Sequence, residues 1–124
     1  MKNKRLNIFG KKLEKCSNTL VTGYKRNGCC ELIKTDNGKH IICAEVTKSF
    51  LLFSLSKGND LITPNIEFNF PGLKEGDRWC LCLNRWLEAY REMCAPKIIL
   101  SSTDEEVKKF IELDILKKFA LDLN

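Results

Sequence analysis

The stretch RWCLCL, residues 78–83, decides more of the fold than any other part of the chain. It follows a Glu-Gly-Asp turn, and its alternating pattern is typical of a β-strand. In a strand, side chains i and i+2 share a face, so the thiols of Cys80 and Cys82 would point the same way. The alternative interpretation is one long helix from Asp77, which would separate the thiols by about 200° around the helix axis. We expect the strand, and with it a pair of neighbouring thiols.

Further elements are predicted on either side of this strand. The apolar runs 41–46 and 97–100 indicate two more strands. Four helices are predicted, over 48–57, 85–93, 103–110 and 114–122. The first three would be capped by Thr47, Asn84 and Thr103. Together with the turn-rich residues 16–40, these elements predict an α+β fold. We expect a small single-domain two-layer sandwich with a short sheet, about four helices and a loop-rich N-terminal lobe.

The connection at 58–77 is long for a compact domain, and loops of this length are commonly functional. It contains three apolar residues, Ile66, Phe68 and Phe70. We expect these side chains to anchor the loop against the rest of the domain, as in packed Ω-loops.

The composition is that of an ordinary globular protein. The chain has 124 residues, of which 44% are hydrophobic and 30% charged, which suits one domain and excludes a disordered or collagen-like protein. The net charge of +5 is concentrated in residues 1–15. We expect a basic flexible arm at 1–6 and a single domain at 7–124. Nucleic acid is not an expected partner, because no aromatic residues interleave with the basic ones and no RNA-binding signature or zinc finger is present.

Compartment and cysteine state are predicted together. No apolar run approaches the ~18 residues of a membrane-spanning helix, so no membrane partner is expected. The basic N-terminus is not followed by the apolar stretch of a secretory signal, which predicts a cytoplasmic protein. The seven cysteines are an odd number, and disulfides are rare in a reducing compartment. We therefore expect free thiols.

Thiol chemistry is one functional hypothesis. The candidate nucleophiles are Cys30, next to a glycine turn, and the pair Cys80 and Cys82. His40 is the only histidine, so a cysteine–histidine base pair has to use it. Under this hypothesis the protein is a thiol-dependent enzyme or redox protein, in which a cationic neighbour lowers the pKa of the reactive cysteine. The structural alternative is that these cysteines only pack in the core.

A soft-metal domain is another hypothesis. Cys30, Cys43, Cys80 and Cys82 would supply four sulfur ligands if the fold brings them together, and zinc is a metal that prefers such ligands. Their spacing does not match the C-x-x-C pattern of structural zinc sites. The sequence therefore allows a zinc cofactor without selecting one.

A small-molecule-binding module is the hypothesis that we favour. Polar and aromatic residues cluster around the long loop at 58–77, near the Gly-Cys-Cys turn at 28–30. The candidate ligand-binding residues are Asn59, Asp60, Asp77, Arg78, Trp79 and Arg85. They predict a pocket lined by cysteine, aspartate, arginine and tryptophan. The alternative is that the aspartates cap turns and the arginines form ion pairs, for example Arg85 with Glu88 on one helix face.

Several of these strings also occur together in a known family. The most specific are Gly28-Cys29-Cys30, Gly58-Asn59-Asp60-Leu61, Phe70-Pro71-Gly72-Leu73, Gly76-Asp77-Arg78-Trp79-Cys80-Leu81-Cys82 and Arg85-Trp86. With them the chain resembles the bacterial domain-of-unknown-function 2237 family over about residues 7–120.

The resemblance implies a compact single-domain α+β protein with no assigned activity, so it carries over no catalytic residue. It also implies that Cys94 is a bystander, because the family pattern usually has glycine at that position. Neither the residues nor the resemblance indicates an oligomeric state.

Overall fold

A three-stranded sheet lies at the centre of the protein. The computed structural model describes residues 5–123. Its strands are β1 (Ile42–Glu45), β2 (Arg78–Leu81) and β3 (Lys97–Ile98). They pair antiparallel in the order β2–β1–β3. Each strand lies inside a predicted segment, and β2 excludes the alternative long helix from Asp77.

Three α-helices accompany the sheet, which confirms the α+β class. They are α1 (Lys48–Ser56), α2 (Leu83–Arg91) and α3 (Leu113–Phe119). Thr47 caps α1 as predicted, because its hydroxyl oxygen accepts the backbone N–H of Phe50 at 3.1 Å. α2 begins before its predicted start, with Cys82 rather than Asn84 at the N-cap position. The chain turns directly from β2 into α2, which leaves no room for the two further strand residues that the sequence suggested.

The prediction of about four helices is wrong by one, because the segment after Thr103 forms only a 3₁₀ helix, Glu105–Lys109. Asp104 caps this helix by accepting the N–H of Glu106 at 2.9 Å. Thr103 is not available as a cap, since its hydroxyl accepts the backbone N–H of Cys43 at 3.0 Å inside the protein. A tertiary contact thus overrides the local capping signal.

The two faces of the sheet have different surroundings. Ile42 and Ala44 of β1 belong to the main apolar core, together with Phe50 of α1 and Trp86 of α2. Since side chains alternate along a strand, Cys43 points to the opposite face. There it belongs to a separate buried cluster formed with the irregular N-terminal lobe.

The long connection after α1 packs less than predicted. Asn65 and Phe70 exchange two backbone hydrogen bonds of 2.7 and 2.9 Å and close a tight loop. Ile66 and Phe68 lie at its tip and are 92% and 67% exposed, so the expectation that they anchor the loop is wrong. Only Phe70 of the expected anchors packs, with its ring centroid 5.2 Å from that of Trp79. The closed loop holds its own shape, which leaves the tip side chains pointing away from the core.

Most of the predicted basic arm at 1–6 lies outside the described residues. Arg5 is described, and its guanidinium donates two hydrogen bonds of 2.9 and 2.7 Å to the fully buried Asp104. Within residues 5–123, no helix has both the length and the apolar character needed to cross a bilayer.

Candidate functional site

Two adjoining cavities form a cleft beside β2. Their volumes are about 390 and 310 Å³, and both are lined by His40, Leu61, Trp79 and Cys80. One cavity extends along the lobe residues 22–26, and the other extends towards the start of α2. We call the combined depression the His40 cleft. Its lining residues are Thr22, Gly23, Tyr24, Arg26, Gly38, His40, Asn59, Leu61, Trp79, Cys80, Leu81, Cys82 and Arg85.

A buried carboxylate holds His40 in this cleft. The Nδ1 atom of His40 lies 2.9 and 3.0 Å from the two carboxylate oxygens of Asp36, and the His40 backbone N–H donates to the same group at 2.9 Å. The Asp36 side chain is 2% exposed, whereas that of His40 is 41% exposed. A carboxylate partner fixes the proton of a neutral imidazole on Nδ1. Nε2 is then the ring atom that can accept a proton.

Opposing effects act on the pKa of Asp36. Burial is the largest single effect and raises this pKa, because it disfavours the charged carboxylate. The backbone and side-chain hydrogen bonds from His40, together with the charge of its ring, more than offset burial. The pKa of Asp36 therefore lies below its ordinary value, and the carboxylate stays ionised as the partner of His40.

The Cys82 thiol lies near His40 at the edge of the cleft. A β-carbon placed on Gly38 would lie 3.0 Å from Cε1 of His40 and 3.6 Å from Sγ of Cys82. Both side chains therefore approach the same glycine, which makes them neighbours. The thiol donates a hydrogen bond of 2.8 Å to the Gly38 carbonyl and is partly exposed. Thiol, imidazole and carboxylate thus occur together in one region.

The charges that line the cleft are positive. Among the described residues, the charged side chains in its lining are Arg26 and Arg85, and the lining contains no carboxylate. The guanidinium of Arg85 lies 3.2 Å from Glu88, which is the ion pair that the sequence offered as the alternative to ligand binding, and it stays partly exposed. Trp79 and Leu61 supply apolar surface between the two arginine ends. The cleft therefore presents an apolar wall with cations at its margins.

The structure separates the predicted ligand-binding residues into three groups. Asn59, Trp79 and Arg85 line the His40 cleft. Asp77 and Arg78 line a different depression of about 310 Å³, which includes residues 16–20 and which we call the Arg78 groove. Asp60, the sixth candidate, lines neither the His40 cleft nor the Arg78 groove.

That sixth candidate, Asp60, caps a turn. Its Oδ1 accepts the backbone N–H groups of Ile62 and Thr63 at 2.9 and 3.0 Å. The hydrogen bonds from Thr63 are the main reason that the pKa of Asp60 lies below its ordinary value. This is the structural role that the sequence offered as the alternative for the aspartates.

The expectation of free thiols is wrong for four of the cysteines. Two disulfides join Cys16 to Cys43 and Cys30 to Cys80. The bridges are adjacent, since the Sγ atoms of Cys16, Cys30 and Cys80 all lie within 4.8 Å of one another. The expected thiol pair of Cys80 and Cys82 does not form, because Cys80 bonds to Cys30 instead. The partners are 27 and 50 residues apart in sequence, so only the tertiary fold reveals them.

The bridged cysteines form a closed, dry cluster, here called the sulfur cluster. They are at most 2% exposed. Cys82, which the sequence placed among the candidate metal ligands, is not part of the cluster, and Cys16 takes its place. Cys30 and Cys80, predicted as nucleophiles, carry no free thiol in this state. Of the catalytic candidates, Cys82 and His40 are the ones that present a reactive atom in the cleft.

The other two free thiols are poor nucleophiles. Burial raises the pKa of Cys29, and Glu31 adds to the shift. Burial and the charge of Glu92 likewise raise the pKa of Cys94. Both thiols are therefore protonated at neutral pH, and protonated thiols react slowly.

Sequence reasoning missed several residues of these sites. Asp36 lies four residues before His40, across an Asn-Gly turn, and that spacing was the available signal for their pairing. Tyr24 and Arg26 lie in an irregular segment, where no periodicity indicates which side chains face a cleft. Cys16 also offered no signal, because its partners come from distant segments.

A known protein family matches most of this chain. The sequence profile of a family described as uncharacterised proteins conserved in bacteria, domain of unknown function 2237, matches residues 6–120. No match is found among curated proteins. The match covers nearly all of the chain, including the sheet, the sulfur cluster and the His40 cleft, and we conclude that this protein belongs to the domain-of-unknown-function 2237 family.

Proposed function

We propose that the protein is a small-molecule-binding module that holds an anionic ligand in the His40 cleft. The observation that carries this proposal is the lining of the cleft, where an apolar wall of Trp79 and Leu61 lies between Arg26 and Arg85. Two arginines in a lining that itself holds no carboxylate favour an anion, and the tryptophan favours a flat or apolar part of the same molecule. The combined volume suits a small metabolite.

Tryptophan fluorescence tests the proposal directly. Trp79 lines the cleft, whereas Trp86 is fully buried in the core, so a ligand in the cleft should change only the emission of Trp79. Benzoate and inorganic phosphate serve as probes with and without a flat apolar part. We expect saturable quenching by benzoate, and loss of that signal in Trp79→Phe.

Two arginines provide a matched pair of variants. Arg85→Ala should weaken benzoate binding about tenfold, which corresponds to the loss of one hydrogen bond to a charged group. Arg78→Ala removes a similar guanidinium, which lies 3.7 Å from Glu45 and lines the Arg78 groove instead. It should leave the affinity unchanged. Equal effects of both substitutions, or no saturable binding of either probe, would contradict the proposal.

Thiol chemistry at Cys82 is a second candidate function. The observation that favours it is the Asp36–His40 pair next to this thiol, because a histidine oriented by a carboxylate can act as a base towards a cysteine. In native, oxidised protein, iodoacetamide should modify Cys82 faster than Cys29 and Cys94. Asp36→Asn should slow that reaction. Similar rates at all three thiols would exclude an activated nucleophile.

The cytoplasmic location stays a prediction. Disulfides are uncommon in the reducing cytoplasm of most bacteria. Whether the two bridges form in the cell therefore bears on where the protein is located. Counting free thiols in protein extracted under acid quench tests the point. Seven free thiols would indicate a reducing location, and three would indicate that both bridges form in the cell.

A further inference from the structure

We propose that the sulfur cluster is a redox-controlled metal site, in which Cys16, Cys30, Cys43 and Cys80 bind one zinc-like cation when both disulfides are reduced. The inference concerns the face of the sheet opposite the main core. It does not depend on the ligand proposed for the His40 cleft.

The positions of the sulfur atoms carry the inference. Three Sγ atoms, those of Cys16, Cys30 and Cys80, lie within 4.8 Å of one another. The fourth, that of Cys43, is bonded to Cys16. A tetrahedral zinc ion with Zn–S bonds of about 2.3 Å separates its sulfurs by about 3.8 Å. Once both S–S bonds are reduced, small side-chain rotations suffice for Cys16, Cys30 and Cys80, and a larger rotation of Cys43 towards Cys30 and Cys80 completes the set of four thiolates.

Contacts other than the disulfides hold the cysteine backbones in place. Cys43 and Cys80 lie opposite each other in the β1–β2 ladder. The N–H of Cys43 donates to the hydroxyl of Thr103 at 3.0 Å, and that of Cys80 donates to the hydroxyl of Thr22 at 2.9 Å. The N–H of Cys16 donates to a lobe carbonyl at 2.7 Å. Cys30 forms an isolated parallel bridge with Thr103. Reduction breaks none of these contacts, which favours the gathered arrangement of the four cysteines in the reduced chain.

The redox and proton balance is simple. A dithiol reductant supplies two electrons and two protons to each disulfide, which yields four thiols and oxidises the reductant to its own disulfide. Binding of Zn²⁺ then releases the four thiol protons, and the metal keeps its charge. Each sulfur takes part either in a disulfide or in a metal bond, so oxidation and metal binding exclude one another.

The surroundings indicate a closed, structural type of metal site. The four cysteines are at most 2% exposed, which leaves no open coordination position for a substrate. Cys16 also lines the Arg78 groove, which gives a cation a route to the cluster.

Cobalt binding tests the proposal. The whole chain is reduced with a dithiol under anaerobic conditions, freed of reductant and titrated with Co²⁺, whose tetrahedral thiolate complexes absorb visible light. We expect saturation at one equivalent, displacement by Zn²⁺ and no absorption from the oxidised protein. Cys16→Ala should lose the absorption band, and the matched control Cys94→Ala should keep it. A reduced wild-type chain that binds no Co²⁺ would overturn the proposal.

A protection experiment needs no variant and covers the case in which Cys16→Ala does not fold. Reduced protein is alkylated with and without Zn²⁺, and the modified cysteines are identified by mass. Zinc should protect the four residues of the sulfur cluster and leave the alkylation rates of Cys29, Cys82 and Cys94 unchanged. If the reduced chain unfolds, the metal should restore its circular dichroism. Protection of the other three cysteines, or a reduced chain that Zn²⁺ neither refolds nor protects, would show that the metal site is absent.

Discussion

Removal of the Cys30–Cys80 disulfide should destabilise the protein by about 4 kcal/mol. The bridge joins residues 50 apart, and constraining a chain loop of that length in the unfolded state corresponds to about 4 kcal/mol at 25 °C. The Cys16–Cys43 bridge closes a loop of 27 residues, for which the same relation gives about 3.5 kcal/mol. The longer loop should therefore matter slightly more. The two loops overlap, so the two losses are not expected to add.

Urea unfolding followed by circular dichroism measures these losses. The variants are Cys30→Ala with Cys80→Ala, and Cys16→Ala with Cys43→Ala, where alanine leaves no unpaired polar group in the dry cluster. A domain of this size is typically stable by about 5–15 kcal/mol, so each double variant should still fold. Its melting temperature should fall by about 15 °C. Cys94→Ala serves as the control for removal of a partly buried cysteine that forms no bridge.

Reduction of the wild-type chain provides an independent check. In the absence of metal, a dithiol should lower the urea midpoint at least as much as either double variant does, and it should not change the midpoint of a chain that lacks both bridges. A wild-type midpoint that is the same with and without reductant would refute the reasoning. A loss below about 1 kcal/mol for both double variants would refute it as well, because typical disulfides contribute 2–4 kcal/mol.

Three further substitutions test individual contacts. The lowered pKa of Asp36 stabilises the fold above the ordinary carboxyl pKa, and this contribution is lost as the pH falls through the folded-state value. Asp36→Asn, which also weakens the contact with His40, should therefore flatten the dependence of the urea midpoint on pH in the acidic range. Asp104→Ala removes a fully buried carboxylate that accepts hydrogen bonds from Arg5, Leu32 and Glu106 and should cost about 3 kcal/mol in thermal unfolding, because hydrogen bonds to a charged group contribute about 1.5–3 kcal/mol each. Gly72→Ala places a β-carbon against a facing backbone carbonyl, at a φ of +81°. Gly58 has a similar φ but open space around it. Backbone strain of about 1–3 kcal/mol is common to both alanine substitutions, so Gly72→Ala should lower the free energy of unfolding by more than Gly58→Ala does.

Local sequence patterns were sufficient to predict the features that depend only on residues close together in the chain. The apolar run before Thr47 became β1, and Thr47 itself caps α1. The ion pair of Arg85 and Glu88 follows from their spacing on one helix turn. Each of these features is decided within a few residues of chain, which is the range over which periodicity and capping act.

Features that depend on contacts between distant segments of the chain could not be predicted from local sequence patterns. Thr103 has the sequence context of a helix cap, but its hydroxyl bonds to a strand 60 residues away. Ile66 and Phe68 are apolar, but a pair of backbone hydrogen bonds turns them away from the core. The sequence identified only part of the lining of the cleft. Trp79 and Arg85 belong to a strand and a helix, where periodicity applies, whereas Arg26 lies in an irregular segment.

The disulfides of the sulfur cluster hold in place the irregular lobe that forms one wall of the His40 cleft. Residues 16–40 contain no helix and no strand, and ordering such backbone costs about 1–2 kcal/mol per residue. Two bridges, from Cys16 and Cys30, fasten this lobe to β1 and β2. Thr22, which accepts the N–H of Cys80, fixes the part of the lobe that lines the His40 cleft. The cysteines therefore act on one face of β2 to hold in place one wall of the His40 cleft, and Cys80 belongs to both the sulfur cluster and the lining of that cleft.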